Sequence, residues 1–140
     1  MSEIIKLDPK TSAVLTLDCQ KGVVDFFPDS ARIFSSAARV LQAARTRHIP
    51  VIHVGLGFRP GYPEVHPENS TFAMLRQMNK FVTGTESTDF HDSVAPKAGE
   101  ITIIKHRVSA FSGNDLEMIL RSQGIRHLAF FGIATSGIVL

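Results

Sequence analysis

Apolar residues in this chain cluster into short runs separated by stretches with helical periodicity, and that alternation predicts the elements. Ser12 to Leu17 (SAVLTL) is an apolar run without polar alternation, closed by Asp18, and reads as a buried first strand. Between Asp29 and His48, Ile33, Ala37, Val40, Leu41 and Ala44 recur at helical spacing, with Arg39, Arg45 and Arg47 on other faces and Pro50 as the stop. The spacing predicts an amphipathic helix with those five residues toward the core. VIHVGL, from Val51, follows directly as a second strand, its β-branched residues bracketing His53.

Gly57 to Pro67 carries Pro60, Gly61, Pro63 and Pro67 and is read as a surface loop, followed by a short helix over Thr71 to Met78. Phe81 to Gly99 is long for a connection in a compact domain, which suggests a lid or binding loop. ITIIKH, Ile101 to His106, is the clearest strand. Asn114 and Glu117 have the spacing of a capping box, opening a helix to about Gln123 with Gly124 as its C-terminal cap. LAFFGI, Leu128 to Ile133, is the fourth strand, and Thr135 to Leu140 would open the next turn or helix.

Strands of this kind alternating with helices predict an α/β fold: a mostly parallel, Rossmann-like sheet in three layers, with helices on both faces. At 140 residues the chain reads as one domain over residues 1–140. Ligands of open parallel sheets bind beyond the carboxyl ends of the strands. Asp18, Lys105 and the segment Thr135 to Ile138 all fall at such ends.

Composition narrows the partners. A net charge of +2 with scattered Lys and Arg argues against a nucleic-acid footprint, so a small molecule is the expected ligand. No run reaches the roughly 20 apolar residues of a membrane span. One cysteine, Cys19, rules out an internal disulfide; with no secretory leader at the start, the expected compartment is cytoplasmic. Following Asp18 directly on a strand, Cys19 is expected to point to the opposite face as a buried, inert thiol.

Three segments carry a resemblance: VLTLDCQKG, KHRVSAFSGNDLEMIL and FFGIATSGIVL. Together they resemble successive motifs of the isochorismatase-like, or cysteine hydrolase, superfamily. The first matches that family's hydrophobic-Asp-x-Gln pattern at Asp18 and Gln20. The second matches its Lys before a Ser-Ala-Phe segment at Lys105, Ser109, Ala110 and Phe111. The third matches its Gly-x-x-Thr-x-x-Cys turn at Gly132, Ala134 and Thr135, but the nucleophile position holds Ile138.

The resemblance implies a hydrolase of a small amide, nitrile or vinyl ether, with Asp18 as acid or base and Lys105 as its electrostatic partner. Because Ile138 cannot act as a thiolate, any such chemistry proceeds without a covalent cysteine step; the alternative is a catalytically inactive member serving as a ligand-binding or oligomeric scaffold. The turn at Ala134, Thr135 and Gly137 would hold an oxyanion, and Gln20, Phe26, His53 and Phe58 are the expected pocket residues. A neighbouring lysine is expected to depress the Asp18 pKa. Related nicotinamidases bind metal through an Asp-x-His pattern; since no Asp accompanies His53, neither metal nor cofactor is expected. Family members commonly self-associate, so a homo-oligomer is expected. They also normally continue past the nucleophile turn, so the family domain is expected to be incomplete at Leu140.

Overall fold

The computed structural model describes residues 7–133. Ala134 to Leu140, with the expected oxyanion residues Ala134, Thr135 and Gly137 and the nucleophile position Ile138, lie outside them. Four strands form one sheet: β1 (Ser12–Leu17), β2 (Val51–Leu56), β3 (Ile101–Lys105) and β4 (His127–Gly132). Their order is β3-β2-β1-β4 and every pairing is parallel. The four carboxyl ends therefore lie along one edge, because Leu17 stands beside both Val54 and Gly132, and Lys105 beside Leu56.

Every residue of β1 is buried, as the absence of polar alternation requires of a strand covered on both faces. Helix α2 (Ser30–Thr46) covers one face with Phe34, Ala37, Leu41 and Ala44, which pack with Val14 and Val51. Helix α4 (Leu116–Ser122) covers the other with Leu116 and Leu120, which pack with Ala13, Leu15, Leu17, Ile52, Val54 and Ile103. Three layers result. Two further helices, α1 (Lys21–Val24) and α3 (Ser70–Gln77), come from the connections after β1 and β2.

Several local expectations are corrected. Ile33 and Val40 do not face the core, being 44% and 45% exposed; Phe34 and Leu41, one position on, take the inward stripe. One residue is about 100° around a helix, enough to turn an apolar side chain outward. The capping box at Asn114 does not form. Asn114 instead ties the loop to itself, its Oδ1 accepting from the Leu116 N–H and its amide donating to the Ala110 carbonyl, while Glu117 pairs with Arg121. The long connection after α3 is not a free lid. It is pinned through the Gln20–Phe90 and Phe58–Val82 bridges and plugs the core with Phe81 and Val94, which are 3% and 0% exposed.

Candidate active site

Asp18 directly follows β1, its backbone turning into the left-handed region at φ 56° while its N–H still bonds the Val54 carbonyl at 2.9 Å. That conformation disfavours a branched side chain and is one that Asp tolerates. Lys105, the last residue of β3, continues the face of Ile101 and Ile103 toward α4. Its side chain is 1% exposed. It reaches past the end of β2 to donate to Asp18 Oδ2 at 3.0 Å and to the Val108 carbonyl at 2.7 Å. Two strands that do not neighbour each other thus supply one ion pair at the carboxyl edge of the sheet.

The electrostatics of Asp18 reverse the expectation from the sequence. Burial pushes its carboxyl up from the ordinary 3.8, and the opposing pull of Lys105 does not cancel that push, so the net shift is upward. Its other oxygen, Oδ1, is buried and has no hydrogen-bond partner among the described residues. A carboxyl anchored through one oxygen and unpartnered at the other, with a raised proton affinity, is equipped to exchange a proton with a bound molecule.

The remaining expected site residues scatter. Gln20 is a clamp: its carbonyl accepts from the Leu56 N–H, and its amide donates to the Leu56 and Thr88 carbonyls at 2.8 and 3.0 Å. It ties the turn after Asp18 to the end of β2 and to the pinned connection. A Cβ on Gly55 would stand 2.8 Å from its amide nitrogen, so glycine there makes room for the clamp. Phe58 is completely buried against Tyr62 and Phe72 and does not line an opening. Phe26 is half-buried with the Lys80 ammonium 5.8 Å from its ring.

His53, also completely buried, is held between Thr16 Oγ1 at 3.1 Å and Glu100 Oε1 at 2.8 Å. Burial pushes its pKa down, so the ring is neutral. With a carboxylate at Nε2, that nitrogen carries the hydrogen and Nδ1 accepts from the Thr16 hydroxyl. Glu100 in turn takes a two-pronged bond from Arg45 at 2.7 and 2.8 Å, which holds its carboxyl down at about 2. Sequence reasoning missed Arg45 and Glu100, whose pairing spans 55 positions and leaves no local pattern.

Cys19 belongs to the core cluster of Phe34 and Leu41 and is 0% exposed. Burial, and secondarily the neighbouring Asp18 charge, push its thiol up to about 12. It cannot replace a missing nucleophile. Among the described residues no group of three or more His, Cys, Asp or Glu side chains is gathered to hold a metal, and no helix is long and apolar enough to cross a membrane.

Comparison with known proteins shows the family and the fold. The family model of the isochorismatase domain matches residues 12–140. The ureidoacrylate amidohydrolase of Caulobacter segnis is 30% identical over 96% of the chain, and the chain spans 65% of that relative's length. Among solved structures, a cysteine hydrolase from Pseudomonas syringae superposes with a TM-score of 0.84 at 21% identity, covering 97% of this chain and 67% of the other. A hydrolase of the isochorismatase family from Chromobacterium violaceum, described as putative, gives 0.72 at 30% identity, with 97% and 64% covered. The parallel sheet, the Asp and Lys at its carboxyl edge and the match over residues 12–140 lead to one assignment: the chain belongs to the isochorismatase family.

Proposed function

We propose that the protein hydrolyses a small amide-bearing metabolite, with Asp18 moving the proton and Lys105 holding Asp18 and stabilising negative charge. The observation that carries this reading is the buried Asp18–Lys105 contact at 3.0 Å with Asp18 Oδ1 unpartnered among the described residues. The amide class is supported by the similarity to a ureidoacrylate amidohydrolase. A nitrile or vinyl ether substrate is compatible with the same acid–base pair and belongs in the same assay.

In this account Asp18 takes a proton from water as the water oxygen bonds the amide carbon. The same proton then passes to the nitrogen as the C–N bond breaks, leaving an acid and an amine. One carboxyl serves both steps because its raised pKa makes it a better base when ionised and leaves it a competent donor once protonated. The role of holding the oxyanion is assigned, from the family motif, to Ala134, Thr135 and Gly137, which lie outside the described residues. No thiolate takes part, since Ile138 stands at the nucleophile position and Cys19 is sealed in the core.

The test is turnover of a panel of carbamoyl amides, simple amides, nitriles and vinyl ethers by the protein and by Asp18→Asn. At least one substrate is expected to turn over, with Asp18→Asn slower by about 100-fold or more; an unchanged rate in the variant removes Asp18 from the chemistry. Ile138 favours one rival, a family member retained as a ligand-binding scaffold. Ligand binding without turnover on any panel member, by the protein or by Ile138→Cys, is the outcome that selects it.

A further inference from the structure

A cleft of about 780 Å³ opens past the end of β3, walled on one side by the connection after β2 with the start of α3 and on the other by the segment His106 to Gly113; neither Asp18 nor Lys105 lines it. Its size suits a small ligand, and it lies at the carboxyl edge of the sheet where such ligands bind. Val108 joins the two sites, lining the cleft while its carbonyl holds the Lys105 ammonium. Phe72 and Val108 give the cleft apolar surface.

The polar groups on its walls are unequally used. Glu64, the one carboxylate among the lining residues, is already satisfied by the Arg59 N–H and guanidinium, with a contact of 2.9 Å to the latter. Burial raises its pKa, but those hydrogen bonds outweigh burial and keep it ionised. Asn69 spends its carbonyl on the Phe72 N–H at 3.2 Å, which leaves its amide donors. The Arg107 guanidinium makes a single bond, to the neighbouring His106 carbonyl at 2.7 Å, and pairs with no carboxylate among the described residues. The Thr71 and Ser112 hydroxyls have no hydrogen-bond partner among the described residues. What remains available is a set of donors around one unpaired cation.

From that donor excess we propose that the cleft takes the carboxylate of the substrate, read by Arg107 with Asn69, Thr71 and Ser112 as auxiliary donors, while Phe72 and Val108 pack its stem. Arg107 is then a specificity-determining residue. Calling the ligand the substrate rests on the hydrolase reading, but binding of the carboxylate does not. A guanidinium recognises the planar anion through paired N–H donors, which a neutral amide does not match.

The test compares 3-ureidopropionate with its neutral amide, 3-ureidopropionamide, following binding by NMR at the Arg107 side chain and the Ser112 amide, on the wild-type protein, Arg107→Met and Asp18→Asn. The acid is expected to bind about tenfold or more tightly than the amide, and Arg107→Met to erase that preference while leaving amide binding unchanged. Equal affinity for the two probes, no binding of either, or a preference that survives Arg107→Met overturns the proposal. Because Arg107 is exposed and outside the core, the variant keeps the fold. Asp18→Asn is expected to retain the preference, so failure of the hydrolase reading leaves this result intact and is read separately from turnover.

Discussion

Removing the Lys105 charge is the perturbation with the most informative cost. Lys105→Met keeps the length of the stem and deletes the ammonium, leaving Asp18 with a 15% exposed side chain and no counterion. At 3.0 Å the attraction is about 5 kcal/mol for an effective dielectric of about 20. Desolvating the two ions costs several kcal/mol each, so the intact pair adds little net stability. Breaking it from one side is different, because the remaining carboxylate keeps its desolvation cost and loses its compensation. The expected loss at pH 7 is about 3–5 kcal/mol, with Asp18→Asn/Lys105→Met more stable than Lys105→Met alone.

The pH dependence follows from the direction of the Asp18 shift. A carboxyl with a folded pKa above its unfolded value adds stability that is full below the unfolded pKa and is lost as pH rises through the folded one. Lys105→Met moves the folded value further up, so its penalty shrinks as pH falls from 7 toward 4. Urea denaturation of the wild type, both single variants and the double variant at pH 7 and pH 4.5 measures this. A Lys105→Met cost under about 1 kcal/mol at pH 7, or simple additivity in the double variant, refutes the reasoning.

Three other consequences are open to measurement. Glu100→Gln removes the carboxylate that Arg45 holds down from 4.5 to about 2, which corresponds to at most about 3 kcal/mol; allowing for partial exposure, about 2 kcal/mol is expected at pH 7. The shift is downward, so this contribution is present above about pH 4.5 and disappears as pH falls through about 2, as urea midpoints at pH 7 and pH 3 would record. Gly132→Ala drives a Cβ into the Leu17 carbonyl oxygen and forces β4 away from β1, with an expected loss of about 1–3 kcal/mol in thermal unfolding. Cys19, with its thiol near 12 and no exposure, is expected to stay unreactive toward a disulfide reagent at pH 8 until the protein is unfolded.

The order of elements was legible because β1, β2 and β4 are written as apolar runs too short for helices, and Gly124 ends α4 at φ 69° as a C-cap glycine does. Asp18 and Lys105 were legible as strand-end polar residues of one sheet, since parallel topology sends every carboxyl end to the same edge. Their pKa relationship was not. It depends on how completely the fold encloses Asp18, and burial is a property of packing, which the residue types alone do not specify. Gln20 entered the expected pocket through the family motif and His53 as a polar residue within an apolar strand. The contacts that hold them, to the Leu56 backbone and to Glu100, reach 36 and 47 positions along the chain and leave no local pattern. Of the five residues expected to face inward from α2, Ala37, Leu41 and Ala44 do; Ile33 and Val40 do not, because the adjacent apolar Phe34 and Leu41 fit a neighbouring phase of the same period.

The claim on which the rest stands is that Asp18 and Lys105 form one enclosed proton-exchanging couple. Side-chain carbon NMR of Asp18, followed from pH 2 to 8 in the wild type and in Lys105→Met, tests it most directly. The account predicts a wild-type midpoint above the ordinary carboxylate value of 3.8 and a further rise once the ammonium is gone. A midpoint at or below 3.8, or one that Lys105→Met leaves in place, contradicts it.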